Sequence, residues 1–275
     1  MTFRIRPAVP ADSSAIALLM RTSVSARVRG ITVMGSEKLH VFLAQQIETS
    51  ESDAYVVGTL HERIIAMSAW RHAGESLLLN HLYVLPGFRG QGFGAALIVE
   101  YLGHFRRSQE QHLALDVFLE NERARTWYRS WGMQVESRTS WNQVRMPNLV
   151  SGEGGEGGIT GLSEADGAQA RFGFSQFSLQ TDLRAYTVGR LGDTLFRVGT
   201  FSILEDPTAL RALSRLDAGR QLLCFGPLHE CTAERFRPEM VVAESERLVC
   251  SCDRIQACLA ARGVLTQRPR SSPVV

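Results

Sequence analysis

Seven consecutive residues, Arg89-Gly90-Gln91-Gly92-Phe93-Gly94-Ala95, set three glycines and an arginine directly before an amphipathic stretch. A helix that begins there leaves its first N–H groups unpaired and carries a partial positive charge at that end. Glycine lets this backbone approach a phosphate closely, so the turn is an anion site suited to a pyrophosphate. Two other phosphate-binding turns do not fit. The dinucleotide pattern is G-x-G-x-x-G and follows the first strand of its unit, whereas here the glycines run G-x-G-x-G after a fourth predicted strand; the P-loop needs a lysine, which this stretch lacks. A turn that merely reversed the chain would need neither the arginine nor all three glycines.

The elements around this turn read as a mixed α/β domain. Phe3–Arg6 is a short strand, and Asp12 or Ser13 can cap a helix with Ala15, Ile16, Leu19 and Met20 at helical spacing. Ser36 can cap a second helix carrying Leu39, Phe42, Leu43 and Ile47. Ala54–Thr59 and Ile64–Trp70 read as strands joined by a tight turn at His61-Glu62-Arg63. Leu77–Val84 is a strongly apolar strand that stops before Pro86. After the glycine turn, Leu97, Ile98, Tyr101, Leu102 and Phe105 mark one face of a helix. Leu113–Leu119 is the next strand. Asn121 caps a helix bearing Ala124, Trp127, Tyr128 and Trp131, Gly132 supplies its left-handed stop, and Met133–Arg145 is a last strand or hairpin. The order is β-α-α-β-β-β-α-β-α-β.

Two motifs in this half resemble those of the GNAT superfamily of acetyl-CoA-dependent N-acetyltransferases. The first is Leu82-Tyr83-Val84-Leu85-Pro86 followed by Arg89-Gly90-Gln91-Gly92-Phe93-Gly94, similar to the family's V-x-P and [QR]-x-x-G-x-[GA]. The second is Asn121, Ala124, Tyr128 and Gly132-Met133, with methionine in place of the usual phenylalanine. The resemblance covers about half the chain and implies a fold in which two central strands splay apart to leave a slot. It implies acetyl-CoA as co-substrate, its pyrophosphate cradled by the amides from Gln91 to Ala95 and its pantetheine arm paired with the backbone of Leu82 and Val84. Asn121 would contact the cofactor from the other side.

By the same resemblance, the reaction is direct attack of an amine on the thioester. Val84's amide would polarise the carbonyl and Tyr128 would serve as the acid for the departing thiolate; the alternative for Tyr128 is core packing within its helical stripe. Many relatives place a glutamate where this chain has Leu78, which cannot act as a base. His81, Asn80 and Glu75 are nearby substitutes, His81 foremost among them, and deprotonation through water is a further route. The expected activity is N-acetylation of a small-molecule or peptide amine. An acyl-CoA-binding sensor or scaffold, and an O-acyl or longer-chain acyltransferase, remain alternatives because a fold does not fix an activity.

The bulk composition excludes other classes. The net charge is only +2, with 44% hydrophobic residues, so neither nucleic acid nor a membrane is expected as a partner. Lys38 is the only lysine, which reads first as codon bias. No stretch has the length of a membrane helix, and Met1–Pro7 carries no apolar run, so no signal peptide is expected. Five cysteines, the first at Cys224, fit free thiols in a reducing cytoplasm and leave the predicted active-site half without a thiol nucleophile. No G-x-S-x-G elbow is present. His229, Cys231, Cys250 and Cys252 lack the usual zinc spacing, so no metal is expected and buried thiols are the simpler reading.

The chain divides at its glycine-rich segment. Residues 1–148 form the first domain, 149–160 a flexible linker, 161–266 a second, smaller α+β domain and 267–275 a mobile tail. The second half reads as strands at 173–180, 185–190 and 194–203, a helix at 207–216, a strand at 221–225 and a long amphipathic helix within 241–262. Its order suggests a shortened, degenerate copy of the first fold, with an unrelated α+β cap as the alternative. Without a glycine turn it is expected not to bind CoA but to shape the acceptor pocket or to form a homodimer contact.

Overall fold

Hydrophobic alternation and capping place the elements of the first half where the sequence suggests, in a computed structural model that describes residues 3–146, 157–231 and 237–262. Strand β1 (Phe3–Pro7) leads to helices α1 (Ser13–Ser23), α2 (Ala26–Gly30) and α3 (Leu39–Thr49). Then follow β2 (Asp53–Leu60), β3 (Arg63–Ala73), β4 (Ser76–Val84), α4 (Phe93–His104), β5 (His112–Phe118), α5 (Glu122–Arg129) and β6 (Gln134–Val144). His61 and Glu62 both have positive φ, 48° and 64°, which closes the β2–β3 hairpin in two residues. Asn121 caps α5 by accepting a bond from the Ala124 amide at 3.2 Å.

Ser36 does not cap α3. Its hydroxyl instead donates to the Phe172 carbonyl at 2.5 Å, and Lys38, at the N-cap position, donates its ammonium to the Ala170 carbonyl at 2.7 Å. Both bonds dock α3 onto the end of a helix in the second half. Asp12 likewise serves Arg6 and the Val9 amide rather than the first turn of α1.

The second half comprises β7 (Gly158–Thr160), α6 (Leu162–Phe172), β8 (Phe174–Gln180), β9 (Ala185–Leu191), β10 (Leu195–Val198), α7 (Pro207–Leu216), β11 (Gln221–Pro227), β12 (Val241–Ser251) and α8 (Cys252–Ala261). Gly158 thus opens a strand; the preceding glycine-rich residues 151–156 and the tail from Gln267 lie outside the described residues. The strand read over 194–203 stops at Val198, and Phe201–Glu205 forms a 3-10 turn. The single long helix read within 241–262 is in fact strand β12 followed by helix α8, which starts at a cap made by Ser251. An apolar stripe drawn across both elements mixed a period of two with a period of 3.6.

All twelve strands join one sheet in the order β1-β2-β3-β4-β5-β12-β6-β11-β10-β9-β8-β7. β4–β5 and β10–β11 are parallel, and the other adjacent pairs are antiparallel. The second half therefore repeats the strand order of the first. At the centre the two halves exchange strands: β12 lies between β5 and β6, while β6 lies between β12 and β11. One face of the first half buries Trp70, Leu97, Ile98 and Tyr101 with Cys252, Ile255 and Leu259 of α8, so the C-terminal helix completes a first-half core. The other face packs α1 and α3 through Ile16, Met20 and Leu43. No helix among the described residues is long and apolar enough to cross a membrane.

Candidate active site

β4 and β5 hydrogen-bond only from Ser76↔His112 to Leu78↔Ala114. Beyond Leu78 they diverge and open a cleft of about 1240 Å³. The Leu85 amide donates to Ile65 of β3 at 2.8 Å, so the Val84 carbonyl in the same peptide plane points the other way, into the gap. With the period-two alternation of a strand, Leu82 and Val84 both present backbone groups to this open edge. The Val84 carbonyl accepts a bond from Arg89 Nε at 2.9 Å.

The glycine turn closes the end of the cleft. Gly90 and Gly92 have φ of 83° and 85°, a conformation that side chains other than glycine rarely adopt. Gly92 is the N-cap of α4, and the first intrahelical bond there is Ala96 N to Gly92 O at 2.9 Å. The amides of Phe93, Gly94 and Ala95 are thus the unpaired donors of a helix start. A Cβ on Gly92 would meet nothing within 4 Å, so the space above the turn is open; a Cβ on Gly94 would lie 3.1 Å from the Trp127 ring. Gly92 leaves room for a ligand, and Gly94 lets α4 pack on α5. The cradle fits a pyrophosphate.

Each candidate from Leu82 to Ala95, together with Asn121, Tyr128 and His81, lines this cleft except Gln91. Gln91 turns its side-chain amide back to the Gly87 carbonyl at 3.2 Å. Glu75 sits in the β3–β4 reversal at the paired end of β4 and does not line the cleft. Sequence reasoning missed Arg123, whose guanidinium would lie 3.6 Å from a Cβ on Gly90 and adds positive charge to the turn.

His81 and Tyr83 stack, with ring centroids 5.8 Å apart, and Tyr83 packs with the α1–α3 layer. Burial, aided by the positive charge of Arg71, holds the His81 imidazole down at about 4. His81 is therefore neutral at pH 7. Tyr128 comes from α5 on the opposite side. Its phenol is pushed well above the usual value by burial, with a further contribution from Tyr83.

The cleft continues across the α1–α2 face of the central sheet, lined by residues of β12, β6, β11 and β10. Asp116 and Arg247 form a two-bond ion pair there at 2.9 and 2.7 Å, and Ser25 donates to Glu120 at 2.6 Å across the mouth. An ionisable residue in the middle of an apolar strand was the available signal for Asp116. His229, Cys231, Cys250 and Cys252 are not brought together: Cys250 and Cys252 belong to the first-half core, whereas Cys231 packs on the second-half core.

This combination of a splayed parallel strand pair and a glycine-started helix agrees with the family comparison. Residues 51–134, from the edge of β2 to the start of β6, match the profile of the acetyltransferase (GNAT) domain. No curated protein sequence matches the chain. A tandem GNAT protein from the clavulanic acid biosynthesis pathway superposes with a TM-score of 0.62, covering 91% of this chain and 99% of its own at 11% identity. A Pyrococcus horikoshii protein gives 0.63 over 90% and 89% at 13% identity. A GCN5-related N-acetyltransferase from Sphaerobacter thermophilus gives 0.57 over 91% and 96% at 14% identity. These likenesses are of fold, and they extend across both halves.

Proposed function

We propose that the protein transfers an acetyl group from acetyl-CoA to a primary amine of a small molecule or peptide, by direct attack within a ternary complex. The observation that carries this reading is the pairing of an open β4 edge at Leu82 and Val84 with the free amides of Phe93, Gly94 and Ala95 at one end of the same cleft. An extended amide-bearing arm takes the edge, and its pyrophosphate takes the helix start. Asn121 and Arg123 flank it.

Val84's amide polarises the thioester carbonyl. His81, neutral and on the acceptor side, accepts a hydrogen bond from the attacking amine. It is too weak a base to strip an ammonium of pKa about 10, so the amine attacks in its neutral form and its proton leaves through cleft water. The nitrogen–carbon bond forms as the carbon–sulfur bond breaks. Tyr128, which keeps its proton at any working pH, donates a hydrogen bond to the departing thiolate rather than surrendering the proton to it.

A second reading, an acyl-CoA-binding protein without turnover, draws support from Leu78 and from the low basicity of His81. Calorimetric titration with acetyl-CoA, followed by thiol release against a panel of amines, separates the two. Binding with release on an amine is expected. Binding without release on any amine supports the second reading, and no binding overturns both.

A further inference from the structure

Arg197 lies on β10 in the second half, yet it lines the same cleft as the glycine turn. Its guanidinium sits 4.4 Å from the centroid of the Phe225 ring and 5.4 Å from that of Trp141. These two rings stack on each other with centroids 4.5 Å apart, and the Trp141 indole is fixed by a bond to Ser245 Oγ at 3.1 Å. Burial holds the Arg197 guanidinium below its usual value. Other largely buried arginines have carboxylates: Arg190 has Asp166 at 2.8 Å and Arg220 has Asp217 at 2.9 Å. Arg197 has no ion pair or hydrogen bond among the described residues, and its guanidinium sits against Phe225 at the side of the stacked ring pair. A half-buried guanidinium whose N–H donors meet no acceptor among the described residues offers them to a ligand, in the fork geometry that matches a carboxylate.

The neighbouring Arg247 is not equivalent, because Asp116 already neutralises it. The cleft therefore runs from the β4–β5 gap, past a neutral ion pair and an aromatic floor, to an unpaired cation. From the gap to β6, which carries Trp141, is about two and a half strand spacings, and to β11, which carries Phe225, about three and a half, so the guanidinium lies roughly 12–17 Å from the gap. We infer that Arg197, with Trp141 and Phe225, binds the anionic end of an elongated acceptor whose amine lies at the β4–β5 gap. The acceptor class is an amine carrying a carboxylate roughly 10–15 Å away, as in a medium-chain ω-amino acid or a short peptide. This inference rests on the acetyltransferase reading for the reaction, but not for the binding.

The probe is 8-aminooctanoate, compared with its methyl ester, which keeps the amine and removes the charge. In the full-length protein, 8-aminooctanoate should be acetylated with kcat/KM at least about 10-fold above the ester, as the loss of a charge-assisted pair predicts. Arg197→Met, which keeps the apolar stem, should bring acid and ester together by raising KM for the acid with kcat little changed. Equal kcat/KM for acid and ester in the parent would overturn the proposal. Direct calorimetry with 8-aminooctanoate supplies a readout free of chemistry. If neither compound is acetylated but 8-aminooctanoate binds the parent and not Arg197→Met, the anion site stands and the acetyltransferase reading fails. If 8-aminooctanoate neither reacts nor binds, the anion site fails. Should Arg197→Met not fold, Arg197→Lys keeps the charge without the fork, and a preference for the acid reduced at least several-fold is the expected result; an undiminished preference counts against the site.

Discussion

Glu246 of β12 and Arg129 of α5 meet at 2.6 Å, although 117 residues separate them. Glu246 is fully buried and also contacts Arg125 at 3.2 Å and Arg138 at 3.1 Å. Arg125 and Arg129 belong to the helix that carries Tyr128, so a second-half strand holds this cleft-lining helix of the first half in place. Burial pushes this carboxyl up, but the Arg125 hydrogen bond and the charges of Arg125, Arg129 and Arg138 more than reverse it, and the net shift is downward. A depressed carboxyl contributes stability that is present at neutral pH and disappears as pH falls below about 4.3 and through its lowered folded value.

Glu246→Gln is expected to lower stability at pH 7 by about 2–3 kcal/mol, because it leaves three arginines around an uncharged group. Urea unfolding measured at pH 7 and pH 3 tests this. The difference between parent and variant should shrink at the lower pH; a difference that does not change with pH would mean that the charge of Glu246 does not stabilise the fold.

Gly92→Val combines a strained left-handed backbone, about 1–2 kcal/mol, with a side chain in the space above the helix start. Acetyl-CoA affinity should fall by about 100-fold or more in calorimetry while thermal unfolding shifts only a few degrees. Unchanged affinity would remove the pyrophosphate from this turn.

Tyr128→Phe keeps the ring that packs on Trp131 at 5.5 Å and removes the hydroxyl. The expected outcome is a fall in kcat of about 100-fold with acetyl-CoA affinity unchanged. Turnover equal to that of the parent would reduce Tyr128 to a core aromatic.

The pH profile tests His81. With the imidazole held at about 4, kcat/KM between pH 5.5 and 9 should rise with the fraction of neutral amine and show no histidine inflection. His81→Gln should lower the rate without altering that shape. An inflection near 6.5 in the parent that vanishes in the variant would show that His81 titrates as an ordinary solvated base.

Local chemistry made the first half readable. The glycines at 90, 92 and 94, the Asn121 cap and the apolar run of β4 each state their structure within a few residues. Helix α2 was missed because Ala26–Gly30 holds only one buried apolar side chain, Val28, and so has no period to detect. Strand β12 was misread because its pairing partners, β5 and β6, lie far away in the sequence; a buried strand between two neighbours has a pattern that only those neighbours explain. Arg197 and Asp116 were overlooked for the same reason. Each looks like an isolated charge in a strand until the sheet order places both along one cleft.

Synthesis proceeds from the N-terminus, so β5 and β6 emerge well before the strand that fills the space between them. At roughly 5–20 residues per second, the nascent first half waits several seconds with two unpaired strand edges facing each other. Such edges recruit foreign strands. A chain cut at its glycine-rich segment would keep every residue of the glycine turn at 89–95 yet be left permanently in that half-made state.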